Sequence, residues 1–243
     1  MSTNGNCKMP EPLDQVVHAV LMSPASVLLP DTSSLLNILE APVPEERASP
    51  NIAPAAVGFL GRLRMSPCTL HIVLAQVVEE EWLRHHATKQ EKAVTSIRRA
   101  DERISFLCGI ASAMNSAPKA PYTQFSGLQI AQRLHDVAEK IVSRAMVIES
   151  SADFQSKAAK RIYGGIAPAT PGKIEANDCL LVEQYLELCR RLRAAGFNHR
   201  CVFVTSNTRD FGEPRAPRPP LDQEFASAKI DFVYDLAAAG ALI

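Results

Sequence analysis

The sequence lacks the long apolar run of a membrane span, since no stretch of its 243 residues approaches about 20 consecutive apolar residues. Its first 25 residues contain Asp14, His18 and Pro24 and show no basic start leading into an apolar run, so they do not predict a signal peptide. None of its six cysteines forms a CxxC pair. This argues against a zinc ribbon or redox motif and predicts reduced cysteines in the core. We therefore expect a cytoplasmic protein with no membrane partner.

Several catalytic signatures are also missing. There is no GxxxxGKS or GxxxxGKT phosphate loop, no GxSxG nucleophile elbow and no HExxH zinc motif. The DxDxT start of aspartyl-phosphate phosphatases is absent too, because Ser33 occupies the position of the second acid. These absences argue against nucleotide-binding loops and nucleophilic-serine enzymes. Equal numbers of basic and acidic residues, 26 of each, further exclude a uniformly basic nucleic-acid binder.

What the sequence does contain is an alternation of short apolar runs and helical patterns. The runs lie at 26–29, 71–75 and 201–205, and KIDFVYDL near the end is a fourth candidate strand. Such alternation predicts an α/β fold in which helices cover both faces of a parallel sheet.

The chain length fits one large domain or two small ones. We interpret residues 1–25 as an N-terminal extension and 26–243 as a single domain with a helical elaboration around 77–165. Within it, the helical pattern from about Val77 to Met114 is longer than a typical helix, so we expect it to bend or project.

Polar residues follow each apolar run, and most of them are acids. Asp31 comes directly after the first run, and three glutamates at 79–81 follow the second. The third run is followed by Ser206, Asn207 and Asp210. Because ligands bind outside the carboxyl ends of the strands in open α/β sheets, we expect these side chains at one edge.

Helical spacing separates the three glutamates. Glu81 lies four residues after Val77 and three after Val78, so it shares their apolar face. Glu79 is rotated furthest from that face. Glu81 is therefore the candidate functional residue, with Glu80 as the alternative.

A further acid comes from a helical pattern rather than a strand end. Asp178 precedes Leu181 by three residues and lies on the core-facing stripe near the helix start. A carboxylate there requires a partner or a metal, and several carboxylates at one edge would repel each other. Hard cations such as Mg²⁺ or Mn²⁺ prefer oxygen ligands and can activate water against a phosphate. The residues alone thus predict a metal-dependent phosphoester hydrolase.

Four segments, taken in order, resemble the motifs of the PIN-domain nuclease family. These segments are VLLPDTSSLLNIL, LAQVVEEEW, EANDCLLVEQYLEL and CVFVTSNTRDF. The resemblance covers about residues 26–240. It implies a three-layer α/β/α sandwich around a central parallel sheet, dependence on Mg²⁺ or Mn²⁺, and endonucleolytic cleavage of RNA.

The resemblance also implies roles for individual residues. Asp31, Glu81 and Asp178 would be catalytic metal ligands, and Asp210 or Asn207 would complete the site. It also gives supporting roles to Thr205 and Ser206. Apart from the resemblance, Thr32, Arg209, Arg84 and Lys173 are further candidates to hold substrate. The chain departs from the family pattern at Ser33, where an asparagine is common, and at Asn207, where some members have an acid.

A second hypothesis belongs to a different class of protein. The chain would then be a catalytically silent PIN-like binding module in a larger RNA-processing or defence assembly, with 115–165 as its working surface. Both hypotheses allow an inhibitory or assembly protein partner and a homo-oligomer. Metal binding that depends on Asp31 would favour the enzyme.

Overall fold

The computed structural model describes residues 9–43, 49–115, 123–170 and 175–243. Five strands form the central sheet: β1 (Ser26–Pro30), β2 (Leu70–Ala75), β3 (Met146–Ile148), β4 (Cys201–Val204) and β7 (Ile230–Val233). Two short strands, β5 (Gly212–Glu213) and β6 (Ala216–Pro217), pair separately. The principal helices are α1 (Leu13–Met22), α2 (Thr32–Glu40), α3 (Ile52–Arg62), α4 (Gln76–Asn115), α5 (Ile130–Arg144), α6 (Ala152–Gly164), α7 (Ala176–Ala194), α8 (Thr208–Phe211), α9 (Leu221–Ala228) and α10 (Leu236–Leu242).

The sheet has the order β3-β2-β1-β4-β7, and all of its pairs are parallel. The chain therefore builds outward from β1 in one direction through β2 and β3, and then in the other through β4 and β7. At such a reversal the connections leave on opposite faces and open a crevice at the carboxyl ends of the strands. The predicted fold class, helices on both sides of a parallel sheet, is confirmed.

Strand β3 is the strand of the central sheet that the sequence analysis missed. It has only three residues and directly follows α5, with Ala145 as the single residue between them. The three strand residues carry too little pattern to be recognised alone. Strand β3 is nevertheless extended at the sheet edge, where the backbone of Glu11 bonds to Val147 and Glu149.

The core lies between the sheet and its helices. Val27, Leu28 and Leu29 of β1 are at most 1% exposed, as expected for a central strand covered on both faces. Val16 and Val20 of α1 belong to the same apolar cluster, so the segment that we set apart as an N-terminal extension contributes to the core.

Helix α4 spans 40 residues, which is about 60 Å of helix. Its first turn is buried at Val77, Val78 and Glu79. Its far end presents an exposed apolar surface at Phe106 and Met114. The expectation of a projecting helix agrees with this change from a buried to an exposed environment.

The two strands that lead into the site separate at their ends. Pairing of β1 with β2 ends at Leu28, while its pairing with β4 continues to Pro30. Between β1 and β2 the Tyr185 hydroxyl donates to the Pro30 carbonyl oxygen at 2.8 Å and accepts from the Ala75 N–H at 3.2 Å. A side chain thus joins strands whose backbones no longer pair.

Candidate acidic site at the sheet edge

Asp31 lies at the end of β1 and begins helix α2. Its Oδ1 accepts from the backbone N–H of Thr32 at 2.6 Å. Its Oδ2 accepts from the hydroxyls of Ser33 and Thr205, each at 2.8 Å. Burial raises the pKa of Asp31 above its usual value, although these donors act in the opposite direction. Ser33, which departs from the family pattern, therefore still provides a hydrogen bond to Asp31.

Glu81 is the member of the glutamate triplet that reaches Asp31's neighbours. Its Oε2 accepts from the Thr32 hydroxyl at 2.7 Å, and its Oε1 accepts from the Asn177 side-chain N–H at 2.6 Å. Glu80, the alternative candidate, is exposed and accepts from Gln76 of its own helix at 2.9 Å. The structure therefore brings Glu81, and not Glu80, to the crevice.

Glu79 is more buried than helical spacing indicates. It is rotated from the face of Val77 and Val78, yet it is only 6% exposed. The first turn of α4 follows directly from β2 and is covered on more than one side. Periodicity identifies a single buried face and fails where a helix begins inside the protein.

Asp178 stands in the first turn of α7 and is half-buried. Its Oδ2 accepts from the side-chain N–H of Asn207 at 3.2 Å. Burial, followed by repulsion from Asp31, Asp210, Glu81 and a further acid, raises the pKa of Asp178 to about 8. Carboxylates from four separate elements thus act on one another at this edge.

Asp210 and Asn207 follow β4 but occupy different environments. The Asn207 side-chain oxygen accepts from the Asp210 backbone N–H at 3.4 Å and caps α8, while its N–H group donates to Asp178. Asp210 is 8% exposed, and its Oδ1 is buried without a hydrogen bond. Asn207 therefore uses both ends of its amide, whereas Asp210 has an oxygen available.

Glu175 is the acid of this site that the sequence analysis missed. It immediately precedes α7, and burial together with the charge of Asp210 raises its pKa. Its Oε2 is also buried without a hydrogen bond. Extending the spacing back one turn from Asp178 would have found it, because Glu175 lies three residues earlier.

The remaining predicted residues that the structure describes are Thr32, Thr205, Ser206, Arg84 and Arg209. Thr32 and Thr205 are buried against the carboxylates, and Ser206 is exposed, with its backbone N–H donating to Ser33 at 3.2 Å. Arg84 is exposed on α4, three residues after Glu81, and Arg209 is exposed in α8. Lys173 lies outside the described residues.

The site fits a hard divalent cation by its charge. In the described ranges, the only cation within 4.0 Å of these five carboxylates is Arg209, whose Nε is 3.7 Å from Asp210 Oδ1. Two buried oxygens, one on Asp210 and one on Glu175, lack hydrogen bonds. Oxygen-rich, negatively charged groups of this kind are the ligands that Mg²⁺ and Mn²⁺ prefer. The residues present therefore suit such an ion.

Comparison with known families agrees with the geometry. A family model described as PIN domain matches residues 61–211, and the chain belongs to this family, whose fold is of the nuclease type. The match includes Glu81, Asp178, Asn207 and Asp210; Asp31 precedes it and is brought to the group by the pairing of β1 with β4. No curated protein and no solved structure shows a significant match.

Across the described residues, every helix is too short or too polar to cross a bilayer.

Proposed function

We propose that this protein is a metal-dependent endoribonuclease that hydrolyses phosphodiester bonds of RNA. The observation that carries the proposal is the convergence of Asp31, Glu81, Asp178 and Asp210 at the sheet edge, where burial, followed by repulsion from the other acids, raises the pKa of Asp178 to about 8. Burial and like charge both disfavour ionised carboxylates at this place, and a bound cation would offset both effects. Membership of the PIN-domain family supports hydrolysis of a nucleic acid.

The residues that would hold Mg²⁺ or Mn²⁺ are Asp31, Glu81, Asp178 and Asp210. Such an ion, when bound, supplies positive charge for the scissile phosphate and lowers the pKa of water. Asp210 suits the fourth position better than Asn207 because its Oδ1 has no hydrogen bond. Asn207 instead holds Asp178 in place.

Neutral side chains fix the direction of the carboxylates. Thr205 and Ser33 donate to the same oxygen of Asp31, and Thr32 donates to Glu81. Their hydroxyls are occupied by these bonds, so we assign Thr32 and Thr205 to positioning. Outer hydrogen bonds of this kind set the orientation and basicity of metal ligands.

Exposed groups at the rim would hold the RNA strand. Arg84 and Arg209 provide guanidinium groups suited to phosphate, and the exposed Ser206 follows as a further candidate. Lys173, outside the described residues, is a candidate from the sequence alone. Contacts of this type position a strand without reading its bases.

The test is cleavage of a fluorogenic single-stranded RNA in Mg²⁺, in Mn²⁺ and in EDTA. Wild type is compared with Asp31→Asn and Glu81→Gln. Glu80→Gln is the matched control, because Glu80 is the adjacent residue, has the same side chain and is exposed. We expect cleavage that requires metal, that is lost in Asp31→Asn and Glu81→Gln, and that persists in Glu80→Gln.

Equal activity in Glu81→Gln and wild type would exclude this site as the source of cleavage. Absence of cleavage together with absence of Mg²⁺ or Mn²⁺ binding would instead favour the silent binding module. In that case the inhibitory or assembly partner, and a second copy of the chain, become the interactions to pursue.

A further inference from the structure

A second group of possible metal ligands lies away from the acidic edge, on helix α5. His135, Asp136 and Glu139 each offer one ligand atom, and these atoms lie within 4.8 Å of one another. His135 and Glu139 are one helical turn apart, with Nδ1 of the imidazole 3.9 Å from Oε2 of the carboxylate. The imidazole side chain is only 12% exposed, and its Nδ1 is buried without a hydrogen bond.

Helix α4 holds the imidazole of His135 from the other side. His86 Nδ1 lies 2.9 Å from His135 Nε2, at hydrogen-bond distance. The ring of His86 is in turn stacked on Trp82, with centroids 5.3 Å apart. One nitrogen of His135 is thus engaged by a fixed partner, and the other is directed toward Glu139.

Asp136 is held through a parallel chain of side chains. Its Oδ1 accepts from the side-chain N–H of Gln132 at 2.7 Å. The oxygen of Gln132 accepts from the side-chain N–H of Gln90, on α4, at 2.9 Å. His135 is therefore oriented by a residue of α4, and Asp136 is oriented by Gln132, which a residue of α4 holds in turn. Outer hydrogen bonds orient ligating residues in the same way in metal sites.

A histidine and a glutamate one turn apart form an ordinary surface pair in many helices. This group differs from such a pair in its buried Nδ1, which has no hydrogen bond, and in the second carboxylate held beside it. We propose that His135, Asp136 and Glu139 bind a zinc ion, with His86 and Gln132 as their orienting partners. A mixed imidazole and carboxylate set suits Zn²⁺ better than Mg²⁺.

The distances permit this with small movements. Bonds of about 2.0–2.2 Å place neighbouring ligand atoms of one zinc ion roughly 3–3.5 Å apart. The 3.9 Å separation of His135 and Glu139 therefore closes by less than about 1 Å. Glu139 is exposed, so its side chain is free to make this movement. A water molecule would complete the coordination.

The test is zinc binding by the untagged full chain, measured by calorimetry in excess Mg²⁺. Variants His135→Ala and Glu139→Gln remove proposed ligands, and His85→Ala removes an exposed histidine next to His86 as the matched control. We expect wild type and His85→Ala to bind one zinc ion. We expect His135→Ala to lose it and Glu139→Gln to bind it at least about tenfold more weakly.

A second signal comes from the single tryptophan, Trp82, whose ring centroid is 6.3 Å from that of His135. Co²⁺ bound at this group should quench its fluorescence, and Zn²⁺ should reverse the quenching. Circular dichroism checks folding; if His135→Ala is unfolded, the exposed Glu139→Gln decides the question.

Zinc binding that is unchanged in Glu139→Gln and in folded His135→Ala would overturn the proposal. Zinc binding that disappears in Asp31→Asn would also overturn it, because the ion would then belong to the acidic edge. The proposal does not depend on ribonuclease activity.

Discussion

The acidic edge draws its carboxylates from β1, α4, α7 and α8, whereas the α5 group takes all of its candidate ligands from little more than one helical turn. Glu81 and Asp178 are far apart in sequence. They meet only because the strands are parallel and because the side of the sheet on which the chain adds strands changes at β1. His135 and Glu139 meet through helical spacing alone. The first arrangement depends on the whole fold, and the second depends on one helix and its neighbour.

The two groups also differ in their charge and in their supporting residues. The acidic edge combines carboxylates with hydroxyl and amide donors, which suits a hard cation. The α5 group combines an imidazole with carboxylates and is supported by His86 and Gln132. This difference separates a site expected to bind Mg²⁺ or Mn²⁺ from one expected to bind Zn²⁺. The following predictions test that separation.

The largest expected effect is on cleavage when Asp178 is replaced. Asp178→Asn should reduce metal-dependent RNA cleavage by more than about 100-fold, since loss of a ligand exceeds the effect of losing its supporting residue. Initial rates in Mn²⁺ measure the change. Asp222→Asn, an exposed acid in α9, is the control and should retain activity. Full activity of Asp178→Asn would show that Asp178 of α7 is not a metal ligand needed for cleavage.

A smaller effect is expected from removing a supporting hydroxyl. Thr205→Val keeps the shape of a buried side chain but removes its hydrogen bond to Asp31. We expect metal affinity or activity to fall by about 10- to 100-fold. Mn²⁺ titration of the cleavage rate measures it, with Thr95→Val on α4 as the control. Unchanged Mn²⁺ dependence would show that the hydrogen bond from Thr205 is not required to orient Asp31.

The corresponding change in the α5 group should be weaker still. Gln90→Leu removes the outer bond to Gln132, two steps from the proposed zinc ligand Asp136. We expect zinc affinity to fall by about tenfold or less. Calorimetry beside Gln223→Leu, an exposed glutamine in α9, measures it. A complete loss of zinc binding would mean that α4 supplies ligands directly.

The smallest effect is a shift in thermal stability with pH. Without metal, Asp178 titrates near 3.8 when unfolded and near 8 when folded, so the unfolded chain releases this proton first as pH rises. The free energy of unfolding should therefore fall between about pH 4 and pH 8 and then level off. Tm measured in EDTA should drop by several degrees across this range.

Two comparisons make this pH prediction specific to Asp178. Asp178→Asn should show a shallower decline of Tm with pH. Added Mn²⁺ should raise Tm more at pH 8 than at pH 6, because a cation binds the ionised carboxylates. A Tm that rises with pH in EDTA would contradict the raised pKa of Asp178.

Much of this architecture could be predicted because central strands are apolar and bounded by turns. The runs at β1, β2, β4 and β7 appear in the sequence, and the rule that ligands lie beyond strand ends brought Asp31 and Asp210 into consideration. Strand β3 escaped because it has three residues. Family membership and fold class were both confirmed by later findings.

Other features required the tertiary structure. The burial of Glu79 depends on what covers the start of α4. The contact between His86 and His135 joins residues 49 positions apart. The pattern of either helix alone does not predict that these two side chains meet. Local periodicity predicts which face of a single helix is buried. It does not predict contacts between two helices.

The Tyr185 hydroxyl has a consequence for the dimensions of the acidic edge. Because it bonds to both Pro30 and Ala75, it acts as a spacer of fixed size between two strands that would otherwise run side by side. Asp31 follows one of these strands and α4 follows the other, so the phenol sets the width of the opening between them. The width of the crevice is thus set by a residue of α7 that bonds to the backbones of β1 and β2 and not to the carboxylates.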